Sequence, residues 1–187
     1  AYEAGVIVVC AAGQIIDRMV YPARFSRTIA VGGFQRDGAI LTPYPRGGYA
    51  DMTRVDVWAV AEDINRASAH LGADGRPVYA WAASPEGETG EVSGTSYACP
   101  QVAGAAALWV ETHHDALEAA FGPERWRMVE AFRLALKRSA EAAVAEEAGP
   151  DGPEPIRVLD IERLLATPPD ADAAMRKRGS ATEEGVW

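Results

Sequence analysis

The sequence predicts an α/β protein, a parallel β-sheet with flanking helices, and three observations carry that prediction. Val6–Ala12, Thr28–Gly32 and Val55–Val60 are short apolar runs rich in β-branched residues. They lack a clean in–out alternation, which is the pattern of strands covered on both faces. The residues that follow Ser96 are apolar over several helical turns, and Glu124 to Ala145 reads as a second long helix. Strands of this kind interleaved with helices favour a parallel sheet covered by those helices.

In chain order, Gly13 ends the first run. Segment 61–93 contains Gly72, Gly75, Pro77, Pro85, Gly87 and Gly90, so turns dominate it. Val78 to Ala82 and Glu91 to Ser93 read as a short hairpin leading towards Ser96. The helix that starts at Ser96 is apolar almost all round and is expected to be buried. Pro100 lies near its start, where a missing backbone donor costs little. Gly122-Pro123 breaks the chain before the second long helix. Trp126, Val129, Phe132, Leu134 and Leu136 supply that helix with an irregular apolar stripe. Ser139 to Pro155 is acidic and ends in prolines and glycines, which predicts a frayed surface loop. Val158 to Leu165 reads as a last short helix docked by Val158, Leu159, Ile161, Leu164 and Leu165. Beyond Thr167 the composition of Pro, Asp, Ala, Arg, Lys and Gly predicts a disordered tail.

Bulk properties narrow the function classes. A chain of 187 residues that is 48% hydrophobic can bury one sizeable core. A formal net charge of −9 argues against a nucleic-acid partner. Cys10 and Cys99 cannot make a disulfide framework and lack metal-ligand spacing, so both read as small buried apolar residues. No stretch reaches transmembrane length and no signal peptide is visible, so no membrane partner is expected and the compartment stays open. The chain opens at Ala1, without an initiator methionine, in what reads as the tail of a helix. The expectation is a piece of a longer protein.

The chemistry concentrates in Gly94-Thr95-Ser96-Tyr97-Ala98-Cys99-Pro100-Gln101-Val102-Ala103-Gly104. A small approach delivers Ser96 to the first turn of an apolar helix, whose free N–H groups and positive dipole end face whatever sits over the hydroxyl. The plain structural alternative is an N-cap serine before a core helix. The block resembles the serine block of the subtilisin-like serine peptidases, Gly-Thr-Ser-x-Ala-x-Pro-x-Val-Ala-Gly, at every fixed position. The α/β-hydrolase elbow is not met, because Ala98 stands where its second glycine would be.

Three further blocks extend the resemblance. Gly5 to Gln14 is similar to the family's strand that ends Ala-Ala-Gly-Asn, whose asparagine amide meets the oxyanion. Here Gln14 holds that position with the same donor group one methylene further out, either as an oxyanion donor or as an ordinary loop residue. Val20-Tyr21-Pro22-Ala23 and Thr28-Ile29-Ala30-Val31-Gly32 resemble the next block, whose Tyr-Pro bond is often cis in the family. The resemblance thus implies that Ala11, Ala12, Gly13, Tyr21, Pro22 and Ala23 shape part of a specificity pocket. Val55 to Ile64 resembles the Val-Asp-Val-x-Ala-Pro-Gly block, with Val60-Ala61 in place of Pro-Gly.

What the resemblance leaves out is as informative. A serine needs a base within hydrogen-bond reach and an acid to orient it, and the family's chain order is Asp, then His, then Ser. His70 lacks the His-Gly-Thr context, and His113 and His114 lie over 20 Å along the helix at about 1.5 Å per residue. No base or acid is assigned, and both are expected in a segment upstream of Ala1. The resemblance therefore implies an incomplete subtilisin-like fold: residues 1–166 as the C-terminal portion of a peptidase domain and 167–187 as the tail. Its implied activity is peptide-bond hydrolysis through an acyl-enzyme on Ser96, with a protein or peptide substrate and the missing N-terminal half as partners, the isolated chain being inactive. Calcium is common in the family, but Asp17 alone does not make a site, and no cofactor is expected. The alternatives are a non-catalytic member of the same fold and a helical interaction module built on residues 124–145.

Overall fold

A computed structural model describes residues 1–14, 19–35, 55–62, 64, 66–71, 73–82, 94–149 and 152–179. After a 3-10 turn at Tyr2–Ala4 come β1 (Val9–Ala11), β2 (Ile29–Phe34), β3 (Val57–Val60), β4 (Arg66–Leu71) and β5 (Pro77–Ala82). Helices α1 (Thr95–Thr112), α2 (His114–Phe121) and α3 (Trp126–Ser139) follow, then β6 (Glu141–Gly149), β7 (Gly152–Val158) and α4 (Ile161–Leu165). The main sheet has the order β1-β2-β3-β7-β6. Its first three strands are parallel, with Val9 opposite Ile29 and Val31 opposite Val57. The mostly parallel sheet with helices packed on it is the predicted α/β class.

The three apolar runs become the three parallel strands because each supplies a face to a helical core. Ile29, Val31, Val57 and Ala59 point to one face and pack with Ala98, Val102, Ala105 and Trp109 of α1. Leu117, Phe121, Phe132, Leu136 and Leu164 extend the same core through α2, α3 and α4. On the other face Cys10 and Ala30 pack with Ala12, Met19 and Ala23, so the small-residue reading of Cys10 matches its place.

β5 pairs with β4, from Arg66↔Ala82 to Leu71↔Pro77, and the expected hairpin with 91–93 lies outside the described residues. The following expectations are corrected. The second long helix stops at Ser139, and much of the expected surface loop 139–155 is the antiparallel pair β6–β7. Backbone pairing with a neighbouring strand outweighs the local charge there, and edge strands commonly carry such charge. β7 meets β3 at Trp58↔Val158. Val158 closes this strand rather than opening the last helix, which is confined to Ile161–Leu165 behind an Asp160 cap. Finally, α1 is not buried all round: Ala103, Gly104, Ala107 and Leu108 are exposed on the face turned away from the core.

The C-terminal tail is described as far as Gly179, and over that length it lies against the body rather than apart from it. Trp109 Nε1 donates to Thr167 O at 2.8 Å, Arg138 pairs with Asp170 at 2.7 Å, and Arg178 pairs with Glu130 at 3.0 Å. Composition alone hid this docking, because the anchoring partners are distant in sequence.

Candidate active site

The parallel strands end on one side of the sheet, and the chain returns to that side before α1. Gly94 N–H donates to Ala61 O, just past β3, at 2.9 Å. Thr95 is buried and ties this turn to the loop after β1. Its hydroxyl accepts from Gly13 N–H at 3.2 Å and donates to Gln14 Oε1 at 2.9 Å. Thr95 N–H donates to the same Oε1 at 3.3 Å. Residues at the carboxyl ends of parallel strands are where open α/β sheets commonly hold ligands.

Ser96 follows as an exposed residue directly after buried Gly94 and Thr95. Gly94 is the N-cap, and Ser96 is the second residue of α1, so the hydroxyl does not cap the helix. Among the described residues no group hydrogen-bonds Ser96 Oγ. Pro100 lies within α1, so the helical bond that would reach the Ser96 carbonyl from residue 100 is missing.

Gln14 is brought to this turn. A methyl group on Gly94 would stand 2.9 Å from Gln14 Nε2 and 3.8 Å from the Ser96 backbone nitrogen. The two potential donors therefore both lie close to the space a Gly94 side chain would occupy. Gly13 has φ of +93°, and a side chain there would meet Val20 Cγ1 at 3.0 Å, so glycine is required on both counts.

The other expected pocket residues divide. Tyr21 is exposed, with its ring 5.0 Å from that of Phe25, and the Tyr21–Pro22 bond is cis. Pro22 is exposed, and Ala11 and Gly13 are partly exposed. Ala12 and Ala23 are buried with Cys10 and Met19, so their side chains serve packing.

The histidines take other places. His113 Nε2 lies 3.0 Å from Leu165 O, and its ring stands edge-on to Trp109. His114 is exposed at the start of α2. His70 opposes Val78 in the β4–β5 register. Asp17 lies outside the described residues. Among the described residues no group of three or more His, Cys, Asp or Glu is placed to hold a metal ion. No helix among them is long and apolar enough to cross a membrane.

Neither thiol competes for the role of nucleophile. Burial pushes the Cys10 thiol above the usual range, and burial followed by the neighbouring Cys10 charge does the same to Cys99. A thiol raised in this way holds less thiolate at neutral pH.

Residue reasoning along the chain missed Thr95, although it stands inside the serine block. It also missed a buried charge cluster beneath the sheet. Asp56, Glu130 and Arg133 are all buried, and Arg133 pairs with both carboxylates. Burial pulls the Arg133 guanidinium down, but Asp56 and Glu130 outweigh it and hold it above its usual range. The signal available in advance was Asp56 between two apolar residues of a buried strand.

A mostly parallel sheet with an exposed serine in the first turn of a helix at its carboxyl edge defines an α/β protein. The chain belongs to the subtilase family, whose model matches residues 1–153. At the level of the family this makes it a serine-type peptidase. The comparison with individual curated proteins finds no match.

Proposed function

We propose that Ser96 is the nucleophile of a serine endopeptidase and that the base and its orienting acid come from polypeptide outside residues 1–187. The observation that carries this reading is the exposed Ser96 hydroxyl at the start of α1, beside a buried turn tied to the β1 loop through Thr95 and Gln14. Ser96 Oγ attacks the scissile carbonyl, and its proton passes to the external base and on to the leaving amine. The carbonyl oxygen becomes negative in the tetrahedral intermediate, where the Ser96 N–H and Gln14 Nε2 stabilise it. Gln14 is suited to this because its Oε1 is already anchored by Thr95, which fixes the amide. Ala11 to Gly13 and Tyr21 to Ala23 shape the walls that receive a peptide substrate. Acyl transfer needs only these side-chain and backbone groups, and no cofactor, calcium included, is part of the proposal.

The external polypeptide, an N-terminal half of the same domain, has a place to dock. Among the described residues β1 is an end strand of the sheet. Beside it runs a trough of about 770 Å³ lined by Ile7, Val9, Ala103, Ala106, Ala107 and Val110. An open strand edge with an apolar trough invites a further strand and helix. Without that half Ser96 has no base, so the isolated chain is inactive.

The second reading, a non-catalytic member of the family, is favoured by one observation: Gln14 stands where the family's asparagine amide meets the oxyanion. Fluorophosphonate labelling decides between them. The full-length protein is expected to be labelled, and Ser96→Ala to abolish it, while residues 1–187 alone stay unlabelled. An intact, folded full-length protein that takes no label sinks the peptidase reading and leaves the non-catalytic one.

A further inference from the structure

We propose that residues 171–179 form a clasp that positions the loop Tyr21–Thr28, with Arg178 as the positioning residue. The proposal rests on the reading that this loop lines the substrate pocket. The clasp lies beyond the family match, which covers residues 1–153.

The grip converges on Arg178. Its Nε donates to Glu130 Oε1 at 3.0 Å and to Oε2 at 3.1 Å. Its backbone N–H donates to Tyr2 Oη at 3.2 Å, and Tyr2 Oη in turn donates to Glu130 Oε1 at 2.9 Å. Its carbonyl accepts from Arg27 Nε at 3.0 Å and from an Arg27 terminal nitrogen at 2.9 Å. Lys177 adds a pair with Glu3 at 2.7 Å, and Arg127 holds Ala171 O at 3.2 Å.

The loop is held from its other side by α3. One terminal nitrogen of Arg133 donates to Ser26 O at 3.0 Å and to Thr28 O at 2.9 Å. Ser26–Thr28 is thus gripped between Arg133 and the clasp. The hold is relayed within the loop by short bonds. Thr28 Oγ1 donates to Phe25 O at 2.8 Å and reaches Pro22 O and Ala23 O at 3.3 Å, and Phe25 N–H donates to Pro22 O at 3.0 Å. Glu130 is the shared anchor: it is buried and binds Arg178, Tyr2 and Arg133 at once. A charge-assisted bond to a buried carboxylate is stronger than a neutral one and fixes geometry.

The test is backbone hydrogen exchange on the full-length protein carrying Arg178→Ala, with Arg27→Ala as the milder second variant. Arg27→Ala cuts the loop's grip on the clasp but leaves the Arg178–Glu130 pair intact. Both variants are expected to speed exchange at the Phe25 and Thr28 amides by about tenfold or more while amides within α1 keep their protection. Unchanged loop exchange, or an equal acceleration throughout the chain, overturns the proposal; if Arg178→Ala does not fold, Arg27→Ala alone decides. In the unlabelled full-length protein Arg178→Ala is expected to raise KM for peptide cleavage roughly fivefold with kcat within about twofold. A fall in kcat at constant KM counts against the clasp. Wild-type protein that takes no fluorophosphonate defeats the nucleophile reading instead, and loop exchange still judges the clasp.

Discussion

Replacing Asp56 with alanine is expected to cost about 3–5 kcal/mol of folding stability, the range for breaking a buried ion pair by removing one partner. The reasoning follows the atoms. The side chains of Asp56 and Arg133 are 7% and 5% exposed. Asp56 Oδ2 takes both an Arg133 terminal nitrogen and the Ala30 N–H, the latter at 3.0 Å. Its loss leaves a guanidinium and a buried amide without that acceptor. Glu130 still faces Arg133 Nε at 3.4 Å, which places the effect towards the lower end. Lys137 reaches Asp56 at 4.0 Å from a more exposed position and contributes less. In a chain of this size the loss lowers the unfolding midpoint by about 6–20 °C. Denaturant unfolding of the wild type, Asp56→Ala, Arg133→Met and the double variant measures it. The double variant should be less destabilised than the two single losses added together, by about 1 kcal/mol or more, because no charge is then left unpaired against Asp56. A loss below about 1 kcal/mol in Asp56→Ala, or strict additivity in the cycle, refutes the claim that this pair holds β3 to α3.

Two further outcomes are expected. Gly94→Ala drives a methyl to within 2.9 Å of Gln14 Nε2, so the amide is displaced against its bonds to Thr95. Displacement of about 1 Å can cost on the order of 10²-fold, so fluorophosphonate labelling of Ser96 in the full-length protein should slow by at least about tenfold. Unchanged labelling removes Gln14 from the oxyanion role. Burial, with the Glu130 charge beside it, pushes the Tyr2 phenol from its usual 10.0 up to about 12. The folded state then holds this proton more tightly than the unfolded state does, so the contribution is full below pH 10 and is lost as pH rises towards 12. Unfolding midpoints of wild type should fall more steeply across that window than those of Tyr2→Phe, and parallel curves contradict the assignment.

The site was legible in the sequence to the extent that its geometry is local. Ser96 sits where the serine block puts it, because a helix start is built by the residues of that block itself. Gln14 was visible as a candidate, but its orientation depends on Thr95, which is 81 positions away. Ala12 and Ala23 show the opposite case: both lie in the expected pocket segments, yet a close-packed core of Cys10 and Met19 takes their side chains.

By itself the sequence determined the parallel strands, the serine-bearing helix and the family, because apolar runs and a contiguous motif are properties of neighbouring residues. Tertiary structure decided the pairing of β6 with β7, the open face of α1 and the docking of the tail. These depend on contacts across long separations, such as Arg178 with Tyr2 over 176 positions and Arg133 with Asp56 over 77. Charge, unlike hydrophobic periodicity, leaves no spacing in the chain that tells which opposite charge will meet it.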